Sequence, residues 1–469
     1  MPSATTLIFW NTWTVSSTSP TAALWARQPV PDLITNAWHS LSPLAQDSLW
    51  LLLLLAPALF AGVAVLWGFR PLALVGALLW RYRWTNLTFV LLIAISVGIG
   101  VGLIAQERGL RKGTARAADK FDLIVAAPGS EITMMFAAVY LQPSDVPLLG
   151  GEAFHEIATH DSVDLAAPLA FGDSFRGSPV VGTTADFIQH LTGGLEAGRL
   201  FQSTTEAVAG SAVTLDLGAR FEPAHGVGDA AENDAHAGAA LTIVGRMPPT
   251  GSPWDRAILV PVESVWKVHG LMNGHAPERR TQIGPPFDKD YFPGTPAILV
   301  RAEALWANYA LRSDFTRDDM MAFFPGAVLA QLHSLMGDVR QVMSVMAVLT
   351  QVLVTAGVLT GLIVLARLFA RRLALLRALG APGRFVFAVV WAYAATLIAA
   401  GALAGLAVGW VAVGAVSKVV TARTDILVTA TLDWPEFHLI AGFVSFTVLL
   451  ALLPAFMAMT RNIITDLRA

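Results

Sequence analysis

The chain has no cysteine in its 469 residues, and only 14% of them are charged. A typical soluble domain carries about 25% charged residues. The first absence excludes a disulfide scaffold, a thiolate-held zinc or iron–sulfur site and a thiol nucleophile. The second excludes a plain soluble globule. Charge is also missing in long stretches. Five blocks, 49–69, 86–105, 342–366, 385–417 and 438–460, contain no Asp, Glu, Lys or Arg. A membrane-spanning helix needs about 20 mostly apolar residues at roughly 1.5 Å rise each, and every block is long enough.

Catalytic and nucleotide motifs are missing too. No G-x-x-x-x-G-K-[ST] phosphate cradle and no G-x-S-x-G nucleophile elbow occur. The Gly98-Ile99-Gly100-Val101-Gly102 run lies inside an apolar block, where it cannot follow a strand as a dinucleotide loop must. Gly98 and Gly102 instead suit a small-residue face for close helix packing, and Gly401, Gly405 and Gly409 repeat that spacing. Such faces serve a dimer interface or packing within one chain. The blocks also lack the buried acids and bases that ion-coupled carriers place near the midplane, which counts against a secondary transporter.

What charge there is sets the topology. Segment 70–85 holds Arg70, Arg81 and Arg83 and no acid, and segment 367–384 holds five arginines and no acid. The tail 461–469 has Arg461 and Arg468 against Asp466. The positive-inside rule puts all three in the cytoplasm. Loop 418–437 mixes both signs and falls outside, as does region 106–341, with 18 basic and 28 acidic residues. Segment 1–48 then lies outside ahead of an extra helix at 49–69. It lacks the basic start of a cleaved signal peptide. The basic clusters are short and next to the membrane, so nothing reads as a nucleic-acid patch.

Region 106–341 is long enough for a domain with its own core. Its ends, 106–120 and 325–341, read as two stalk helices; in the second, Leu329, Leu332, Leu335, Met336 and Val339 recur at three- and four-residue steps. Between them lie short β-rich runs at 121–126, 178–182, 211–215, 240–244, 257–261 and 297–301, with helices expected at 151–159, 184–191 and 262–268. The fold class is therefore an α-helical membrane protein with an inserted α+β extracytoplasmic domain. It has four core transmembrane helices and one extra N-terminal helix.

Two histidine patterns bear on metal. In His155-Glu156-Ile157-Ala158-Thr159-His160 the histidines are five apart, about 140° off alignment on a helix, so the zinc-protease arrangement fails. His225, Asp229, Glu232, Asp234 and His236 carry imidazole and carboxylate donors, but in a Gly/Ala-rich stretch that reads as a solvated loop.

The motif Arg371-Arg372-Leu373-Ala374-Leu375-Leu376-Arg377-Ala378-Leu379-Gly380-Ala381 is a short basic helix with a strong stop at Gly380-Ala381-Pro382-Gly383. It resembles the cytoplasmic loop R-R-E-I-x-x-L-R-A-L-G-A of the FtsX-like and MacB-like (type VII) permease subunits of ABC transporters. Pro454-Ala455, Ala458 and Leu467-Arg468 resemble that family's C-terminal pattern. Gly198-Arg199-Leu200-Phe201 with Glu206-Ala207-Val208-Ala209-Gly210 resembles an outer-domain stretch, and Thr250-Gly251-Ser252-Pro253-Trp254-Asp255-Arg256 resembles the turn of one subgroup. The order of segments from residue 70 onward fits the family plan.

The resemblance implies a bacterial inner-membrane subunit that works as a homodimer with a separate ABC ATPase. ATP and Mg would sit on that partner, and no enzyme activity is expected in this chain. MacB carries its ATPase fused ahead of the first span; segment 1–48 is too short for one. Arg371, Arg372, Leu376, Arg377, Ala378, Leu379 and Gly380 would couple to the ATPase, and the stalks would carry the motion outward, a mechanotransmission. The family's Glu falls on Arg372 here, a charge reversal that removes any salt bridge built on it. Outside, the resemblance implies export or release of a substrate, or FtsX-type activation of a partner. An adaptor, lipoprotein or hydrolase would be met there, with membrane lipid around the helices. Some permeases resembling this subgroup carry a His/Asp-rich insertion and are associated with zinc; the sparse donors here make direct zinc binding doubtful.

Overall fold

In the computed structural model the described residues are 38–226, 240–335 and 337–461. The chain divides into two compact units, Met1–Leu54 and Leu55–Ala469. In the first, the Gln46 side-chain amide donates to the carbonyls of Trp38 (2.9 Å) and Leu41 (3.2 Å). The Trp38 and Trp50 rings meet edge to face at 5.9 Å. Helix α1 covers Pro43–Leu66.

Helix α2 (Leu72–Arg81) is short and apolar, with Arg81 in its last turn. Helix α3 (Arg83–Ala118) is one unbroken helix of 36 residues. No proline interrupts it, so nothing forces a break where the apolar block ends. At about 1.5 Å per residue it is roughly 54 Å long, against a hydrocarbon core of about 30 Å. Its far end therefore reaches the inserted domain as a stalk.

The inserted domain follows in order: β1 (Leu123–Ala126), α4 (Glu131–Ala138), α5 (Gly151–Ala158), β2 (Val163–Phe175), β3 (Ser178–Thr183), α6 (Ala185–Thr192), β4 (Ala197–Gly198), β5 (Glu206–Ala209), β6 (Arg220–Phe221), β7 (Ala224–His225), β8 (Leu241–Arg246), β9 (Ile258–Pro261), α7 (Val262–Val268), β10 (Ala297–Ala302), α8 (Ala307–Asp314) and β11 (Met321–Phe323). The strands form one sheet in the order β11-β1-β10-β2-β3-β9-β5-β8-β4, with β6 on β8 and β7 on β2. The pairs β3–β9 and β5–β8 are parallel and the others antiparallel.

Two differences from the sequence expectations have physical causes. Run 211–215 is not a strand. Its carbonyls are met by a side chain instead: the Arg246 guanidinium donates to Val213 O (2.9 Å) and to Leu215 O. Conversely, β2 is the longest strand at 13 residues, and its Ala, Pro, Gly and Asp content hides it. Pairing decides there. β10 covers its first half, and β3 and β7 its second.

The Gly198–Gly210 stretch acts as a structural clasp. Arg199 pairs with Glu206 through both guanidinium nitrogens (2.8 and 2.5 Å), and Glu206 also accepts from Gln202 N (2.8 Å). Gly198 has φ +77°, and a Cβ there would lie 2.2 Å from Val244 O, so only glycine fits.

The chain returns through α9 (Pro325–Leu335), which lies beside α3; His333 Nε2 is 3.4 Å from Thr114 Oγ1. Helix α10 (Gly337–Ala378) has 42 residues and bends by 53° between Val364 and Phe369, where the sequence turns from apolar to basic. Helices α11 (Gly383–Thr424), α12 (Trp434–Leu450) and α13 (Leu452–Thr460) complete the bundle. Pro454 leaves the Leu450 carbonyl without its helical donor, which accounts for the break between α12 and α13. Four spans (α1, α3, α11, and α12 with α13) are long and apolar enough to cross a membrane, and the bent α10 makes a fifth.

Candidate functional site

Basic segments 70–85 and 367–384 meet at one end of the bundle, together with Arg461. Arg372 donates to the Tyr82 hydroxyl (2.8 Å) at the α2–α3 junction and lies over its ring at 5.5 Å. Arg377 donates to the Arg461 carbonyl (2.8 Å). Gly380, at φ +99°, ends α10: Ala381 N bonds back to Leu376 O and Gly380 N to Arg377 O, both at 3.0 Å. Left-handed glycine stops of this kind satisfy the last carbonyls of a helix. Leu373 and Ala374 face the core, and Leu376 packs against it. Arg371, Leu375, Ala378 and Leu379 are exposed, Leu379 at 85%. Arg372 is itself exposed, and its cation serves Tyr82 within the chain.

The glycines sort by contact. A Cβ on Gly401 would lie 2.6 Å from Ile93 Cβ, on Gly405 2.6 Å from Val97 Cβ, and on Gly409 2.8 Å from Val101 Cγ1. Gly98 answers from α3, facing Val408, Gly405 and Gly409 at 3.0–3.3 Å. This face packs α3 on α11 within one chain. Gly102 has nothing within 4 Å and takes no part.

At the opposite end the inserted domain grips the bundle in several places. The carboxylate of Asp255 accepts from Thr250 N (2.7 Å) and Gly251 N (2.8 Å), which shapes the turn. That turn offers Gly251 O to Leu427 N (3.2 Å), and Arg256 pairs with Asp425 (2.7 Å). Trp254, fully buried, donates from its ring to Val139 O (3.1 Å). Loop 425–432 presses on the stalk; a Cβ on Gly109 would meet Ala430 Cβ at 2.7 Å, and one on Gly113 would meet Leu427 O at 2.9 Å. Just below, the Arg108 guanidinium bonds both oxygens of Glu436 (2.9 and 3.1 Å) and Thr431 O (2.6 Å). Glu436 is fully buried and also caps α12, accepting from Asp433 N (2.8 Å). None of these contacts was read from the sequence. The Thr250–Arg256 pattern was the one available signal.

His225 does not sit in a loose loop. It is half of β7, paired with β2 directly opposite Asp173. Gly172 (φ +146°) lies at an irregularity in the β2–β3 register next to Asp173. Ser174 Oγ donates to Gly226 O (2.6 Å), and Gly226 N to Gly172 O (2.9 Å), holding β7 in place. The third member is His269, which caps α7. Asp173, His225 and His269 are the one group of metal-ligand type among the described residues. Asp173 and His269 were missed because 52 and 44 residues separate them from His225. Asp229, Asp234 and His236 lie outside the described residues. His155 lies on α5 and His160 beyond its end, while Glu156 pairs with Arg317 (2.6 Å).

Beside α7, Glu263 and His275 are both buried. Glu263 Oε1 accepts from Gly284 N (2.6 Å) and is 3.4 Å from His275 Nε2. Burial pushes the Glu263 carboxyl up to about 7, against the pull of its backbone hydrogen bonds. Burial likewise lowers the His275 imidazole. Below about pH 4.5, the ordinary value, the carboxyl is protonated in both folded and unfolded chains. As pH rises toward about 7, the unfolded chain ionises first, so stability falls across that window. The span corresponds to about 3 kcal/mol. Glu263→Gln is expected to flatten the melting temperature between pH 5 and about 7 and to raise it above; circular dichroism of the purified chain reads the melt.

No family model matches the chain, and no curated protein matches it. Among solved structures it is similar to the periplasmic region of MacB from Actinobacillus actinomycetemcomitans, at 10% identity over 46% of this chain and 95% of that one, with a TM-score of 0.31. It is also similar to the extracellular domain of the noncanonic ABC-type transporter YknZ from Gram-positive bacteria, at 10% identity over 43% of this chain and 98% of that one, with a TM-score of 0.27.

Proposed function

We propose that the chain is the membrane subunit of an ATP-driven complex, of the permease type that the Arg371–Ala381 motif resembles. A separate ATPase docks on the exposed face of the α10 terminus. Motion passes along the helices to the inserted domain, which releases or exports a substrate on its side of the membrane. Two copies of the chain would work with two ATPase subunits, as the resemblance implies.

The supporting observation is helix continuity. α3 is packed in the bundle through Ile93, Val97 and Val101 and in the inserted domain's core through Ala117 and Ala118. α10 leads to the basic terminus but bends by 53° between Val364 and Phe369, so α3 is the unbroken member of the pair. Long helices displace as units when their ladders are unbroken. The Arg256–Asp425 pair and the Leu427–Gly251 hydrogen bond carry the same motion through the bundle's own loop.

The test uses the chain co-purified with its ATPase. Neutralising Arg371, Arg372 and Arg377 together is expected to lower stimulation of ATP hydrolysis about tenfold, within the usual range of site-to-site coupling. Because Arg372 and Arg377 also brace the bundle, a second variant, Arg371→Gln with Leu379→Ala, changes only exposed side chains. Normal coupling in both, with assembly intact, would sink the proposal.

A further inference from the structure

We infer that Asp173, His225 and His269 form a binding site for a first-row divalent cation of the zinc class. Three donor atoms converge: His225 Nδ1 is 3.2 Å from Asp173 Oδ1, His269 Nε2 is 3.5 Å from the same oxygen, and the two nitrogens are 3.3 Å apart. A tetrahedral ion with ligand bonds of about 2.0–2.1 Å has donors about 3.3–3.4 Å apart along each edge. The three atoms thus already trace one face of that tetrahedron.

The protonation pattern supports ligation. His269 Nδ1 lies 2.8 Å from Val265 O. A carbonyl only accepts, so Nδ1 carries the proton and Nε2, aimed at the cluster, presents its lone pair. Backbone carbonyls orient metal-bound imidazoles in this way. A hydrogen-bonded triangle accounts less well for the geometry, since His225 Nδ1 would have to serve two partners at once.

The elements are rigid. Asp173 is in a central strand, with its side chain 2% exposed; His225 is on the strand hydrogen-bonded to it; His269 caps a helix. His225 is 51% and His269 29% exposed, so an ion can reach the cluster from solvent. Two imidazoles and one carboxylate favour zinc-like ions over magnesium and calcium, which take oxygen donors. The site is independent of the proposed coupling to an ATPase, and holds whether or not that coupling does.

The test is calorimetric titration of Zn2+ into the full-length chain in detergent, stripped with chelator and carrying no polyhistidine tag. One site per chain is expected, unaffected by excess Mg2+ or Ca2+. His225→Ala and His269→Ala should each weaken it at least about tenfold. His155→Ala, elsewhere on the domain surface, should leave it unchanged. With Co2+ as probe, the visible bands of a four- or five-coordinate ion should vanish in the same two variants. Both histidines are on the surface, so these variants keep the fold, which circular dichroism checks. A parent chain that binds no Zn2+, or an isotherm unchanged in both variants, would overturn the site.

Discussion

Arg108→Ala is expected to cost the folded chain about 3–5 kcal/mol, the usual effect of removing one partner of a buried ion pair. Glu436 has no exposed surface, and Arg108 is its one cation among the described residues. Without Arg108 the carboxylate keeps the Asp433 backbone bond and little else. Glu436→Gln should cost less than Arg108→Ala, because the amide still accepts and caps α12. The double variant Arg108→Met with Glu436→Leu should recover most of the loss, since no charge is then left buried. Thermal melts in detergent check this, and the parent, Arg108→Met, Glu436→Leu and the double variant close a double-mutant cycle with an expected coupling of at least about 2 kcal/mol. Simple additivity would show that the pair does not act as a unit. The pair ties the base of the α3 stalk to the start of α12, so its loss should also loosen loop 425–432.

The glycine face gives the second large effect. Gly405→Ala places a methyl 2.6 Å from Val97 Cβ and 3.0 Å from Ala94 O. The second of these is backbone and cannot rotate away, so α3 and α11 must separate. Overpacking of this kind costs about 1–3 kcal/mol, and more when Gly401→Ala adds its own contact with Ile93. Packing is what holds membrane helices together, since lipid is as apolar as the side chains it replaces. Gly102→Ala is the control. With nothing within 4 Å, it should be neutral or gain up to about 1 kcal/mol from helix propensity. Equal effects at Gly102 and Gly405 would refute the packing assignment.

Much of the architecture was legible in the sequence. The five apolar blocks, the three basic segments, the stop at Gly380 and the helix at 262–268 all depend on composition or on spacing within one or two turns. Such signals are local, and a single chain displays them directly. The order of the sheet was not legible, nor the length of β2, because its residues have weak strand preference and pair only once distant segments arrive. Which helix the glycines face was equally undecided by spacing, which is the same for a partner chain and for α3. The sites depend still more on tertiary structure. Arg108 and Glu436 are 328 residues apart, and Asp173 meets His225 across 52. Composition and periodicity marked the helices long and apolar enough to cross a membrane and the domain inserted between them. Strand register and helix docking alone decided which charges and which imidazoles stand within bonding distance, because a contact of about 3 Å requires the backbones of two remote segments to be placed first.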